Sequence, residues 1–429
     1  MASTSDSVNS TTVKSTTVTG STVNNSTWDV RPLAEGDLPE LIQLDAAAFH
    51  IDPPADFLTD IVLPMLEIPR LTGARERATG GALVGTAAIL SKRMTFPGGR
   101  VHPVAAVTYV AVRAGWRRRG LLTAMMRDQL HGLHESGGEA TAILTASEGA
   151  IYGRYGYGRA IDCAQIRLPH GADFSPAAAT ESVCEVDAVS AAALAHDLWD
   201  RMAPNTTGHL TRTEADWRAR FAEHDFMRRG NSTRRWAAHQ DGLVGYRVRP
   251  AWQDRDGSWP VIVTDLYAAT PVAHASLWRF LLDLDLTDRV EFPLGWVDDP
   301  VQDLLADRRS LTLTLHDHVW LRLVDLDRAV ELRGYSVPAR VDMRVVDEFC
   351  PWNAGTWCLD LAPDSGQATR TSASPQLELH IRDLAACFLG GTPLARLAAG
   401  GQVTGDPDAL RRLGLALSTS VAPWCPEGF

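Results

Sequence analysis

Val104-Ala105-Ala106-Val107-Thr108-Tyr109-Val110-Ala111-Val112 runs directly into Arg113-Ala114-Gly115-Trp116-Arg117-Arg118-Arg119-Gly120 and then Leu121-Leu122-Thr123-Ala124-Met125-Met126-Arg127-Asp128-Gln129-Leu130. The first block alternates and is rich in β-branched residues, which predicts a strand. In the last block Leu122, Met125, Met126, Gln129 and, just beyond it, Leu133 recur at helical spacing, which predicts an amphipathic helix. Between them lies a loop carrying Arg117, Arg118, Arg119 and Gly120. A strand feeding such a loop and then a helix N-terminus builds an anion site. Unpaired helix amides and the positive dipole end face the ligand, glycine permits close approach to backbone, and arginines add charge. A pyrophosphate suits it. The GxxxxGK[ST] and GxGxxG patterns of the common nucleotide loops are absent. Taken alone, a short basic run is equally a solvated helix entry.

Working outward, Ala142-Ile143-Leu144-Thr145-Ala146 predicts a second strand, so strand, helix and strand form one βαβ unit with a parallel pair. It leads into Ser147-Glu148-Gly149-Ala150-Ile151-Tyr152-Gly153-Arg154-Tyr155-Gly156-Tyr157-Gly158. Upstream, Trp28 to Pro32 reads as a short strand. Asp37 is a candidate N-cap for a helix through Leu41, Leu44 and Ala48, with Pro39 in its first turn. Gly80-Gly81 and Ala82 to Leu90 read as a glycine turn and a strand.

A similar unit follows. Arg235 to His239 and Leu243 to Val248, joined at Asp241-Gly242, read as a hairpin. Val261 to Tyr267 is a strand and Ser276 to Leu282 a helix, so the order of the first unit recurs. Here the loop Ala268 to His274 holds neither arginine nor glycine. The reading is a duplicated fold whose second copy has lost its anion loop. From about Leu311 the pattern changes again. Leu311 to Leu315 and Val319 to Leu323 alternate as strands, and Asp325 opens a short helix. Val341 to Val346, Thr356 to Leu361 and Leu377 to His380 are strands. Ile381 to Phe388 and Asp408 to Leu417 are helices, the latter with Asp408 as N-cap. This predicts an α+β third domain.

The chain has 429 residues, which suits two or three domains. It is 45% hydrophobic and 22% charged, so a wholly disordered chain is excluded. Met1 to about Thr27 is rich in Ser, Thr, Val and Asn without apolar period, and is expected to be a disordered tail. The net charge of −11 opposes binding to phosphate backbones, so no nucleic-acid partner is expected. No apolar run suffices to span a bilayer and no signal peptide is evident, so no membrane partner and a cytoplasmic location are expected. The six cysteines show no CxxC spacing and read as buried free thiols of a reducing compartment. His131 with His134, and His316 with His318, have no third ligand nearby in sequence, so no metal is expected.

Arg117-Arg118-Arg119-Gly120-Leu121-Leu122 resembles the R-x-x-G-x-G/A motif of the GCN5-related N-acetyltransferases (GNAT), with Leu122 in place of the final small residue. Ile151 to Tyr157 resembles the Y-x-x-x-G-F/Y segment of the same superfamily. Together with Val110-Ala111-Val112, Ala146 to Gly158 and His318 to Asp325, these stretches resemble the enhanced intracellular survival (Eis) family of aminoglycoside and lysine acetyltransferases. The resemblance covers about Trp28 to Phe429. It implies an α/β (α+β) chain of two tandem GNAT-like domains, the second degenerate, followed by a sterol-carrier-protein-like domain. The expected divisions are 28–175, 176–310 and 311–429.

The family binds acetyl-CoA, uses no metal, assembles as a homohexamer and confers antibiotic resistance by acetylating aminoglycosides. By this resemblance acetyl-CoA is held by Val110, Ala111 and Val112, by Arg117, Arg118, Arg119, Gly120, Leu121, Leu122 and Thr123, and near Ser147 and Glu148. The general acid matches Tyr152, and the base is the C-terminal carboxylate, here that of Phe429. The family tail ends Glu-Phe, whereas here Gly428 separates Glu427 from Phe429.

Direct transfer to an amine needs a base for the ammonium proton, and a donor for the leaving thiolate. A phenol with a pKa of about 10 serves as that donor. A terminal carboxylate with a pKa of about 3.5 is a weak base unless burial raises it. Its use also requires Pro423 to Phe429 to thread into the first domain. Tyr155 and Tyr157 are competing phenols. Tyr109 matches a pocket aromatic of the family and would equally serve as core. Asp45 and Phe49 are candidates to line the amine pocket, or are an ordinary surface acid and a core aromatic. The expected reaction is acetyl transfer to polycationic amines: aminoglycosides, polyamines or lysine side chains. The alternative is a non-catalytic protein that binds a hydrophobic ligand in its C-terminal module.

Overall fold

The computed structural model describes residues 27–77, 81–249 and 258–429. The segment expected to be a disordered tail, apart from Thr27, lies outside the described residues, as does Gly80.

The βαβ expectation is met at its centre. β1 (Trp28–Pro32), β2 (Leu71–Glu76), β3 (Leu83–Phe96) and β4 (Arg100–Val112) form an antiparallel run, and β4 pairs in parallel with β5 (Thr141–Thr145). Val104, Ala105, Ala106 and Val107 are almost wholly buried, as a near-continuous apolar run in a covered sheet must be. The crossover helix Leu121–Glu135 buries Leu121, Met125, Met126, Gln129, Leu130 and Leu133. Its core stripe therefore starts at Leu121 rather than at the expected Leu122, which is left half-buried beside the loop. The parallel pairing is short. Only Ala105 and Ala106 of β4 face Ala142 and Ile143 of β5, and past them the strands part.

β6 (Gly158–Pro169) closes the first unit. β7 (Cys184–Val186), β8 (Arg235–His239), β9 (Gly242–Val248), β10 (Pro260–Ala268) and β11 (Arg289–Gly295) build the second around a core with Trp199, Trp217, Trp236 and Trp278. Its helix Pro271–Leu282 is capped by the Thr270 hydroxyl, which accepts from the Ala273 amide. Two alternating stretches, expected as separate strands opening the third domain, are one strand, β12 (Thr312–Leu323), with register shifts around Val319. β12 inserts between β5 and β6, so the first two units share one sheet in the order β1-β2-β3-β4-β5-β12-β6-β11-β10-β9-β8-β7. Alternation predicts a strand, but its partner is a matter of register, and here the partner belongs to the first unit.

After β12 come the short helix Leu326–Val330 and a second sheet of β13 (Ala339–Val346), β14 (Gly355–Ala362), β15 (Ser365–Arg370), β16 (Leu377–His380) and β17 (Val403–Gly405), ordered β15-β14-β13-β16-β17. The last helix, Pro407–Leu417, is capped by Asp406, which accepts from the Ala409 amide at 2.6 Å. Asp408, the expected cap, lies inside its first turn. Arg322 and Asp347, both wholly buried and 2.6 Å apart, lock this module onto β12. Gly156 has φ +82°, and a Cβ there would collide with the Arg322 guanidinium. That close approach is why the Tyr-rich turn carries a glycine at this point. Five of the six cysteines are buried and all are free; Cys184 is exposed.

Candidate active site

Two adjoining cavities open where β4 and β5 diverge. Between the pairs Thr86–Ala111 and Ala88–Thr108, Tyr109 and Val110 stand opposite the single residue Ala87, which is a bulge. Tyr109 takes φ +49°, and its carbonyl accepts from the Thr86 hydroxyl at 2.8 Å. A bulge kinks the strand and re-aims its backbone groups, and it does so beside the gap left by β5.

The larger cavity, about 640 Å³, is lined by Val110, Ala111, Val112, Arg117, Arg118, Gly120, Leu121, Leu122, Thr123, Ser147 and Glu148 among others. Arg118 and Gly120 adopt left-handed conformations, φ +63° and +85°, so the loop turns tightly onto the helix start. No side chain caps that start, so its first amides stay available to a ligand. The three arginines divide. Arg118 lines the cavity, and Arg117 also lines it while its Nε donates to the Val112 carbonyl at 3.4 Å. Arg119 is absent from the wall, its guanidinium lying 4.8 Å above the Trp116 ring. Trp116, Ile151, Arg154 and Tyr155 also line this cavity. The sequence reading names Tyr155 only as a competing phenol and does not select the other three, although each lies within or beside a motif it quotes.

The smaller cavity, about 340 Å³, brings together Asp45, Phe49, Tyr109, Thr145, Tyr152 and Phe429. Phe49, Val110, Ser147 and Tyr152 line both cavities. Of the three competing phenols only Tyr152 stands at the junction. Tyr155 lines the larger cavity, its hydroxyl 3.1 Å from the Thr123 hydroxyl. Tyr157 is fully buried, lacks a hydrogen-bond partner, and faces a separate cleft beneath the third domain.

Burial dominates the electrostatics. It pushes the Tyr152 phenol up to about 12, helped by Tyr155 and Glu148, and so favours the protonated form. Burial also lifts Asp45 to about 6, and its Oδ1 lacks a hydrogen-bond partner. The Tyr109 phenol is raised by burial and by the Asp45 charge.

The end of the chain reaches the smaller cavity along the central unit and β12. The Trp424 amide donates to the Thr207 carbonyl at 2.8 Å, and its indole donates to the Leu294 carbonyl at 2.9 Å. His318 Nε2 lies 2.8 Å from the Glu427 carbonyl, and the Thr145 hydroxyl donates to a terminal oxygen of Phe429 at 3.4 Å. The other three histidines weighed as metal ligands have partners elsewhere. His131 meets the Phe349 carbonyl, His134 meets Asp325 and stacks on Trp352, and His316 Nε2 lies 2.9 Å from Cys163 Sγ.

Three family models match the chain: an acetyltransferase (GNAT) domain over residues 29–160, a second over 208–323, and a sterol carrier protein domain over 326–426. The chain is 31% identical to N-acetyltransferase Eis of Mycobacterium bovis over 359 residues, 80% of this chain and 85% of that one. It is 40% identical to an uncharacterized N-acetyltransferase of Streptomyces avermitilis over 370 residues, 82% of this chain and 88% of that one. Among solved structures, Eis1 of Mycobacterium abscessus superposes with a TM-score of 0.80 at 30% identity, covering 94% of this chain and all of that one. A GCN5-related N-acetyltransferase of Anabaena variabilis, at 20% identity and a TM-score of 0.79, shares the fold.

Proposed function

This chain belongs to the Eis family of GNAT N-acetyltransferases, and from that premise we propose that it transfers the acetyl group of acetyl-CoA directly to an amine of a polycationic substrate. The observation that carries the reading is the position of Tyr152. It stands between a cavity suited to a pyrophosphate and a second one holding the half-buried Asp45 carboxylate, with one oxygen unpartnered, and the end of the chain.

The residues present fit acetyl-CoA. The uncapped helix start, the left-handed Arg118 and Gly120 and the Arg118 guanidinium would hold its pyrophosphate. Val110 to Val112 offer strand backbone beside the bulge, and Ser147 and Glu148 close the opposite wall. When bound, acetyl-CoA supplies an acetyl thioester with a thiolate leaving group. The Tyr152 phenol, protonated throughout the neutral range, donates its proton to the sulfur. Backbone amides of the opened strand offer hydrogen bonds to the developing oxyanion. The Phe429 carboxylate takes the proton of the incoming ammonium. Asp45, ionised above about pH 6, seats a cationic amine, with Phe49 and Tyr109 as apolar walls.

Aminoglycosides, polyamines and lysine side chains all present such amines. A turnover screen with acetyl-CoA across these three classes tests the proposal. Turnover on at least one class is expected. Tight acetyl-CoA binding without turnover on any amine would overturn it in favour of a binding protein. On family resemblance we also propose a homohexamer acting in the cytoplasm, testable by analytical ultracentrifugation and cell fractionation. No helix among the described residues is long and apolar enough to cross a membrane.

A further inference from the structure

The Arg212 guanidinium lies in the central unit, away from both cavities, and is used on every side. It is 2% exposed. Its Cζ sits 3.4 Å from the Trp199 ring centroid and 4.4 Å from that of Trp217. Nη1 donates to the Tyr267 hydroxyl at 3.1 Å, Nε donates to Glu427 Oε1 at 2.9 Å, and Nη2 pairs with the same oxygen. Tyr267 is itself braced, donating to the buried Asp265 at 2.7 Å. A buried guanidinium needs an anion, and among the described residues Glu427 is the one it pairs with.

The loop that carries Arg212 also cradles the tail. Thr207 accepts from the Trp424 amide, and a Cβ on Gly208, φ +96°, would lie 2.9 Å from the Trp424 carbonyl oxygen. The same loop is stitched to β3 through Thr95 and Arg93, so it moves with the first unit. Glu427 is therefore held at its side chain by Arg212 and at its carbonyl by His318. Beyond it the polar hold is slight: a Cβ on Gly428 would meet nothing within 4 Å, and Phe429, whose side chain packs against the main hydrophobic core, has the 3.4 Å contact with Thr145. Two extended residues reach about 7 Å, so where Glu427 sits decides where the terminal carboxylate can go.

We propose that Arg212 is a positioning residue for acetyl transfer: through Glu427 it fixes the Gly428–Phe429 arm so that the terminal carboxylate meets the amine cavity. The proposal rests on the reading of that carboxylate as the base. It gives the central unit, whose own strand-to-helix loop holds no arginine, a place in the reaction. It also assigns Glu427 to the arginine rather than to the substrate.

The test uses the full chain with a native C-terminus, as Glu427→Gln, Glu427→Asp and Arg212→Met. Glu427→Gln is nearly isosteric, so it carries the test if Arg212→Met fails to fold. Displacing a reacting group by about 1 Å can cost about 10² in rate, so kcat is expected to fall at least about tenfold in Glu427→Gln. The KM for acetyl-CoA should stay unchanged, and Glu427→Asp should recover part of the loss. Release of Phe429 by carboxypeptidase, slow in the parent, should accelerate in both Glu427→Gln and Arg212→Met. Unchanged kcat or unchanged release in Glu427→Gln overturns the proposal, as does a KM for acetyl-CoA that rises in step with the loss. An alanine appended after Phe429 separates the two ideas. If that enzyme is fully active, the carboxylate is not the base and the underlying reading fails. If it is inactive while Glu427→Gln is fully active, only the assignment of Arg212 fails.

Discussion

Replacing Tyr152 by phenylalanine removes one oxygen and leaves the ring. That ring packs edge-on against Tyr155 and Tyr157, with centroids 6.5 Å and 6.1 Å away, contacts that phenylalanine reproduces. Fold and acetyl-CoA affinity should therefore survive. On the proposed mechanism the loss falls on proton donation, for which a fall in kcat of about 10² or more is the usual range, equivalent to about 2.7 kcal/mol of barrier. The pH dependence adds a second reading. Burial places the phenol near 12, so its proton is retained through the neutral and mildly alkaline range and is lost only as pH approaches 12. The parent kcat should thus show no alkaline decline near pH 10, where an unperturbed tyrosine would titrate. The assay is thiol release from acetyl-CoA at saturating amine, between pH 6 and about pH 10. Tyr155→Phe loses the contact with Thr123, and Tyr157→Phe removes a buried hydroxyl that has no partner. The latter should be neutral, or stabilise by up to about 1 kcal/mol. A large loss in Tyr155→Phe with near-parental Tyr152→Phe would refute the reasoning, because the donor would then lie one turn away.

Arg118→Ala combined with Arg119→Ala should raise the KM for acetyl-CoA at least about tenfold, since charge-assisted contacts to phosphate exceed about 1 kcal/mol; an unchanged KM would mark the loop as solvated charge. Deleting Phe429 withdraws the terminal carboxylate by up to about 3.5 Å, and a C-terminal tag turns it into an amide, so both should lower kcat while acetyl-CoA still binds. Phe429→Ala keeps the carboxylate and should be milder; full activity of a tagged enzyme would point to another base. Asp45→Asn should raise the amine KM. Because burial raises the Asp45 pKa from 3.8 to about 6, the native protein takes up a proton as pH falls through that window. Its ionised form is penalised above about pH 6, by at most about 3 kcal/mol. The variant should therefore melt higher than the parent at pH 8, by a margin that shrinks toward pH 5, as read by scanning calorimetry.

The central βαβ unit was legible because its signals are local. Alternation marks β4, helical spacing marks Leu121–Glu135, and a basic loop between them marks the proposed anion seat. The three-domain plan followed from the order of elements repeating and then changing. Other features were not legible, each for its own physical reason. β15, β17 and the helix Leu394–Ala399 are short and carry little periodicity of their own. Arg119 reads like its neighbours because sequence does not say which way a side chain turns, and Trp116 captures it. Asp406 lies two residues before the expected cap, and both are acids that suit the role.

By itself the sequence determined that a basic, glycine-bearing loop joins a strand to a helix, where that helix opens behind the arginines, and that the second copy lacks such a loop. Those follow from chemistry within a few adjacent residues. Only the tertiary structure decided that β12 lies between β5 and β6, that Tyr152 rather than Tyr155 or Tyr157 stands where two cavities meet, and that Phe429 ends there. Each of these brings together groups more than a hundred residues apart. Val319 pairs with Thr145, and Arg212 pairs with Glu427. Such meetings depend on register and on which buried charge finds its partner, and neither quantity is written in the spacing along one stretch of chain.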